Sequence, residues 1–362
     1  MSARIGPRRA VAWGAAFTAL TVVVGGCLAA LTVHGAQAAP VAGKPCPKKG
    51  QTIGSFVCKK KSGSLVWVKK QPVTSTCQVR TLQTGRAPGT NELHPGGAQL
   101  RAAVSTDGLT WTRLPDSLVD QAATPSLVLG PAGVPLLYMT AHAVNGKQDG
   151  FSVAIGSADG RSWQHCQVTL KGFPANLLGV DPDVVALPGG GYRAYLTGGV
   201  GPASSGPPLI GIHYADSTDG LTWTYGGVAY QRPTSVLDSV TFQVGNTWHM
   251  YTLIDTPAVM EHATSTDGRT FTYADTRSIP MDGQPVVLSQ VASGGGQSRA
   301  YGFLPRGAGI VSLVTKDGVT MQADPNRSLT LDPTLEYLFI KDPAVTKLAD
   351  GSYLMVYATA LR

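Results

Sequence analysis

Three aspartates stand at matching places in this sequence: Asp181 before Pro182, Asp238 before Ser239 and Asp342 before Pro343. Carboxyl groups held close together support general acid–base chemistry, one giving a proton while another activates water. Glutamate is scarce, with Glu92, Glu261 and Glu336 the only copies. Other polar residues fall close by in the repeat described next: Asp183, His142, Asp255 and Arg306. Arg101, His213 and Glu261 share one recurring position that is Val153 and Val311 elsewhere, which suggests a role facing a channel or loop. No P-loop, dinucleotide fingerprint or nucleophile elbow occurs. The cysteines show no Cys-x-x-Cys spacing of the kind zinc needs.

The elements that position these residues are repeats. Ser105-Thr-Asp107-Gly108-Leu-Thr-Trp111 returns as Ser157…Trp163, Ser217…Trp223, Ser265…Phe271 and, in degenerate form, Thr315…Met321. The aspartates of this motif step by 52, 60, 48 and 50 residues. Asp-Gly makes a turn that tolerates positive φ, a serine or threonine bonds local backbone, and the aromatic packs behind. A second landmark opens an apolar stretch: Thr124-Pro125, Asp181-Pro182, Asp238-Ser239, Gln284-Pro285 and Asp342-Pro343. A third is a tyrosine strand, with Tyr138, Tyr195, Tyr251, Tyr301 and Tyr357. Four strands per unit and five units predict an all-β fold, a five-bladed β-propeller over 76–362. The chain begins this region with an outer strand pair and ends it with an inner pair. Together they would complete the fifth blade and remove the open edge. Strand direction then puts Asp181, Asp183, Asp238 and Asp342 at the starts of inner strands on one face. His142, Asp255 and Arg306 fall on the same face. The Asp-Gly hairpins fall on the opposite face, so their aspartates are structural.

The first 38 residues read as an export signal. Arg4, Arg8 and Arg9 precede an apolar run from Ala10 to Val33 and then Ala36-Gln37-Ala38. Cleavage after Ala38 is favoured over retention as an anchor, with lipidation at Cys27 third. Residues 39–75 form a basic two-Cys module and linker holding eight lysines and no acid. With three arginines before them, these segments leave a net charge of −4 for 76–362, out of +7 overall. The body is therefore no nucleic-acid binder on charge grounds, whereas the lysines would attract an anionic cell wall or membrane surface. Four cysteines remain after cleavage. In an exported chain they suggest disulfides Cys46–Cys58 and Cys77–Cys166.

Asp181-Pro-Asp-Val-Val-Ala-Leu-Pro-Gly-Gly-Gly-Tyr-Arg-Ala-Tyr195, Trp248-His-Met-Tyr251 and Asp342-Pro-Ala-Val345 together resemble the five-bladed propellers of glycoside hydrolase family 43 and its relatives. The resemblance covers nearly all of 76–362. It implies a glycan or polysaccharide as ligand and two carboxyl groups across the scissile bond, in the inverting arrangement. Carried over by position, Asp181, Asp238 and Asp342 match the family's aspartate sites, with Asp181 and Asp342 as base and pKa tuner. The family's acid is a glutamate at an inner-strand start, and none stands there in this sequence. Glu261 or Glu336 would have to supply it. Asp183, His142, His213, Arg101, Arg306 and Asp255 would contact substrate. No cofactor is implied, a structural ion on the axis is left open, and a monomer is expected. The alternative is a non-catalytic carbohydrate-binding or cell-envelope propeller, docked by the lysine-rich module.

Overall fold

The computed structural model describes residues 44–49, 52–53, 56–61, 63–69, 77–130, 133–142, 150–175, 177, 179–200, 209–254, 259–294 and 297–362. The export segment, the linker at 71–75 and Asp255 lie outside the described residues.

Five antiparallel sheets form the body, each ordered from an inner to an outer strand. Blade one runs Ala122–Leu129, Pro135–Ala141, Gly150–Gly156 and Trp163–Cys166. Blade two runs Val180–Ala186, Tyr192–Val200, Leu209–Ser217 and Thr222–Tyr230, with Thr169–Lys171 added in parallel at its rim. Blade three runs Leu237–Val244, Thr247–Leu253, Met260–Ser265 and Thr272–Arg277. Blade four runs Val287–Gly294, Gln297–Phe303 and Gly309–Thr315, with Gln322–Ala323 and Leu329–Thr330 outside. Blade five takes Lys341–Lys347 and Tyr353–Ala360 from the C-terminus and Ala98–Ser105 and Thr112–Asp120 from the N-terminal side. The expected closure is thus present, with Tyr353 facing Ser105 and Ala360 facing Ala98.

The hairpins show why Ser-x-Asp-Gly recurs. Asp107 Oδ1 accepts from the backbone N–H of Leu109 and Thr110, while Ser105 Oγ accepts from that of Gly108. The hairpins at Ser217, Ser265 and Thr315 repeat this set. Backbone N–H groups hold the Asp107 and Asp317 carboxyls well below the usual range. Gly220 has φ 79°, and a Cβ there would meet the Tyr138 hydroxyl at 2.6 Å. Glycine is therefore required both for the turn and for the approach of the neighbouring blade.

That approach is a strap. Tyr138, Tyr195, Tyr251 and Tyr301 are fully buried, and each donates its hydroxyl to the hairpin glycine carbonyl of the next blade. The acceptors are Gly220, Gly268, Gly318 and Gly108 respectively. Tyr357 is not the fifth strap, which corrects the sequence alignment. Ala344 faces Val356, as Asp183 faces Tyr195, so Tyr357 is one residue out of register. At the junction of blades five and one, Leu354 packs against Gly160 instead. The Cys77–Cys166 bridge packs on the other side of blade one, in the core it shares with blade two, and pins the segment before blade five to the outer strand of blade one. Arg80 N–H reaches His165 O at 2.9 Å, and Leu361 N–H reaches Gly97 O at 2.8 Å, so both chain ends are tied in.

Two further landmarks shift. Gln284–Pro285 pairs with Pro280–Met281 in a small separate hairpin, so the inner strand of blade four starts at Val287. In blade one, Met139 faces Ser152 as Leu196 faces His213, so Ser152 rather than Val153 is the equivalent of His213. Cys46 and Cys58 are bonded as expected, with Trp67 buried on them and strands Phe56–Lys61 and Ser64–Lys69 paired.

Tyr195→Phe would leave the Gly268 carbonyl buried without its 2.6 Å partner. The expected loss is about 1–3 kcal/mol, seen as a lower urea midpoint. An unchanged midpoint would contradict the strap.

Candidate functional site

The inner strands begin with a bulge. In blades one, two, three and five, two residues oppose one across the ladder. The first of each pair has left-handed backbone: Thr124 at φ 47°, Asp181 at 51°, Asp238 at 50° and Asp342 at 52°. Aspartate tolerates this region better than most residues, whereas a β-branched threonine there is an outlier. Bulges re-aim side chains, and these four face the axis from four blades. Blade four carries Leu288 and Ser289 at the corresponding bulge, with no acid. Threonines at the ends of second strands hold the bulges in place. Thr140 Oγ1 accepts from Asp181 N–H at 2.8 Å and from the Thr124 hydroxyl at 2.8 Å. Thr197 Oγ1 accepts from Asp238 N–H at 3.2 Å.

Asp181, Asp238 and Asp342 therefore meet at the channel mouth, half-buried. Lys341 joins them, with Nζ 3.0 Å from Asp342 Oδ2 and 5.7 Å from the Phe339 ring centroid. Burial pushes Asp238 well above the usual carboxylate range, and the charges of Asp181 and Asp342 add to this. Burial also raises Asp181, helped by Asp342, against the pull of its bonds to Asp238 and Thr124. The Asp181 and Asp238 side chains bond to each other, so this pair holds a proton between them. The Asp342 charge, with those of Asp238 and Asp181 behind it, raises Lys341 and keeps it an ammonium. Lys341 was missed in the sequence. Its signal was a cation directly before the Asp342-Pro343 landmark, where Val180 and Leu237 stand in blades two and three.

The other sequence candidates do not join this cluster. Glu261 Oε2 accepts from the Tyr230 hydroxyl at 2.7 Å and pairs with Arg232 at 3.3 Å, between blades two and three. Glu336 is fully buried and accepts from Arg113 Nε at 2.6 Å, Tyr357 Oη at 2.7 Å and Asp332 N–H at 2.5 Å. Neither glutamate is among the groups acting on the raised aspartates. His213 bonds Tyr225 Oη and Gly199 O, each at 3.0 Å, and burial lowers its pKa. Arg101 donates to Pro115 O at 2.5 Å. The shared position of Arg101, His213 and Glu261 thus serves the outer strands and blade junctions, not the channel. Arg306 is exposed in the turn Pro305–Gly307. His142 lies in the turn after Ala141, edge-on to His94 at 5.2 Å.

Asp183 lies deeper. It is 4% exposed, and it lines an axial cavity of about 740 Å³ with Thr241, Gln290 and Trp248. Gln290 crosses the axis, donating to Leu127 O at 2.6 Å and accepting from Leu127 N–H at 3.2 Å and Val345 N–H at 3.1 Å. Burial pushes Asp183 up to about 8, against bonds from Thr241. Among the described residues no group of three or more His, Cys, Asp or Glu is arranged to hold a metal ion.

No protein-family model matches this sequence, and no curated protein does. Solved structures do. A thermostable family-43 glycoside hydrolase is 14% identical, covers 66% of this chain and 88% of its own, and superposes with a TM-score of 0.51. An N-acetylgalactosamine deacetylase from F. plautii, in complex with blood group B trisaccharide, is 13% identical over 68% of this chain and 81% of its own, also at 0.51. At such identities the likeness establishes the fold, the five-bladed propeller found among family-43 glycoside hydrolases. It leaves the activity to the site.

Asp183 makes a pH prediction. It folds with its proton on, while the unfolded chain loses that proton near pH ~4. Its contribution to stability is therefore fully present below about pH 4 and falls away as pH rises towards about 8. Asp183→Asn is expected to raise the melting temperature more at pH 8 than at pH 5. An equal change at both would contradict the buried protonated carboxyl.

Proposed function

We propose that the chain is an exported, glycosidase-like propeller that engages a glycan at the channel mouth and hydrolyses it. The observation that carries this reading is the Asp238 carboxyl, which burial and the charges of Asp181 and Asp342 push well above the usual carboxylate range. A carboxyl raised in this way keeps its proton to higher pH and can act as a general acid. Asp238 gives its proton to the glycosidic oxygen as the bond to the anomeric carbon breaks. Water attacks that carbon and passes a proton to Asp342. Asp181 tunes Asp238, and Lys341 holds Asp342 in place. The fold shared with a family-43 glycoside hydrolase, and with a neighbour solved with a bound oligosaccharide, supports a glycan as ligand.

A second reading has its own observation. Two carboxyls that cleave a glycoside stand about 5–5.5 Å or 6.5–9.5 Å apart, and the Asp181 and Asp238 carboxyls touch. If Asp342 does not face them across the bond, the mouth binds glycan without cutting it. In that reading the lysine-rich module docks the propeller to an anionic cell wall or membrane.

Incubation of the purified chain with a panel of plant and bacterial cell-wall polysaccharides, read by mass spectrometry, separates the two. Release that Asp238→Asn lowers by about 10²–10⁴-fold, and that Asp342→Asn lowers similarly, supports hydrolysis. Binding without release supports the second reading. Neither binding nor release contradicts both.

A further inference from the structure

A second polar pocket lies on the same face as the mouth, beside blade one. Its volume is about 250 Å³, and Arg80, Gln83, Asp120, Gln121 and His142 line it. That is below the ~300–1,000 Å³ of drug-sized sites, so it suits one small ring. The chain delivers Arg80 to this place deliberately. The Cys77–Cys166 bridge, the bridge pairing of Val79 with Cys166 and the bond from Arg80 N–H to His165 O fix its backbone against the outer strand of blade one.

The Arg80 side chain is under-paired. Its guanidinium makes two long contacts, 3.3 Å to Ser152 Oγ and 3.4 Å to His142 O. Five N–H donors are available on that group. Among the described residues no carboxylate pairs with it, and burial is the one influence on its ionisation. Asp120, in the same pocket, turns its Oδ2 to Gly85 N–H at 2.8 Å instead of to the arginine. Gln121 is 6% exposed and donates to Gly85 O at 2.9 Å, fixing the wall. The pocket therefore presents, at one side, a planar cation that no carboxylate pairs with among the described residues, and hydrogen-bonding groups, Gln83 and Asp120, at others. A guanidinium of this kind prefers a bidentate oxyanion, and carboxylate and amide side chains accept and donate to hydroxyls.

We propose that this pocket is a subsite for one acidic sugar unit. Arg80 takes its carboxylate, and Gln83 and Asp120 take its hydroxyls. Thr140, which holds the mouth aspartate Asp181, lies two residues before His142, so the pocket neighbours the mouth along one strand. The acidic unit would belong to the glycan that the mouth engages, and to that extent the proposal rests on that reading. Pocket binding itself can be measured without the mouth.

Calorimetric titration of the purified full chain with galacturonate and with galactose tests it. The expected result is saturable galacturonate binding, at least 10-fold weaker binding of galactose, loss of that preference in Arg80→Gln, and a reduced but retained preference in Arg80→Lys, which keeps the charge without the bidentate fork. Equal melting temperatures of the two variants would show that the difference is not one of folding. Absence of saturable galacturonate binding, equal affinity for galactose, or a preference unchanged in Arg80→Gln would each overturn the proposal. Galacturonate binding that persists when no polysaccharide is released supports the subsite while sinking hydrolysis. Release without galacturonate binding sinks the subsite alone.

Discussion

The antiparallel pairing of Tyr353–Ala360 with Ala98–Ser105 is the contact on which the rest of the molecule depends. It joins segments about 250 residues apart and closes the ring. Without it the sheets would expose edges, and there would be no axis. The sequence supports this one long-range closure with several local devices. Four tyrosine straps lock successive blades through a hairpin carbonyl. At the junction of blades five and one the strap is missing, and Leu354 packs against Gly160 in its place. The Cys77–Cys166 bridge, on the blade-two side of blade one, constrains the unfolded chain and contributes about 2–4 kcal/mol.

Closure brings inner-strand starts from different blades to one point, and the bulge decides what they present there. Three aspartates and a threonine take a left-handed backbone that costs of order 1–3 kcal/mol each, and Thr140 and Thr197 hold that geometry. The result is three carboxyls against one ammonium. Two unit charges ~4 Å apart interact by about 4 kcal/mol at an effective dielectric near 20, so Lys341 can balance one carboxylate and not three. The remaining repulsion is relieved by keeping a proton on the Asp181–Asp238 pair. The raised pKa of Asp238 is thus a consequence of geometry, not of an added residue.

The blade count, the ring closure and the clustering of Asp181, Asp238 and Asp342 were legible because turn chemistry is local. Asp-Gly hairpins and Asp-Pro starts recur at near-constant spacing, and their position in the repeat fixes the face. What was illegible depended on register or on distant partners. Tyr357 matches its relatives by residue type, but it stands one position later in its strand, where Val356 takes the strap position and Tyr357 reaches Glu336. Glu336 looks available in sequence, yet Arg113, more than two hundred residues away, occupies it. Arg101, His213 and Glu261 share a position, but their partners lie on outer strands and at blade junctions. Lys341 departs from the apolar residue that precedes the landmark in blades one, two and three (Ala123, Val180, Leu237), but its partner Asp342 shows only in the folded cluster.

The most direct test of the shared proton is infrared difference spectroscopy of carboxyl groups across a pH titration, comparing the wild type with Asp238→Asn. The account predicts a protonated carboxylic C=O band at pH 7 that the substitution removes, beside the separate band of Asp183. A spectrum in which Asp238→Asn removes no protonated carboxyl at pH 7 would contradict it.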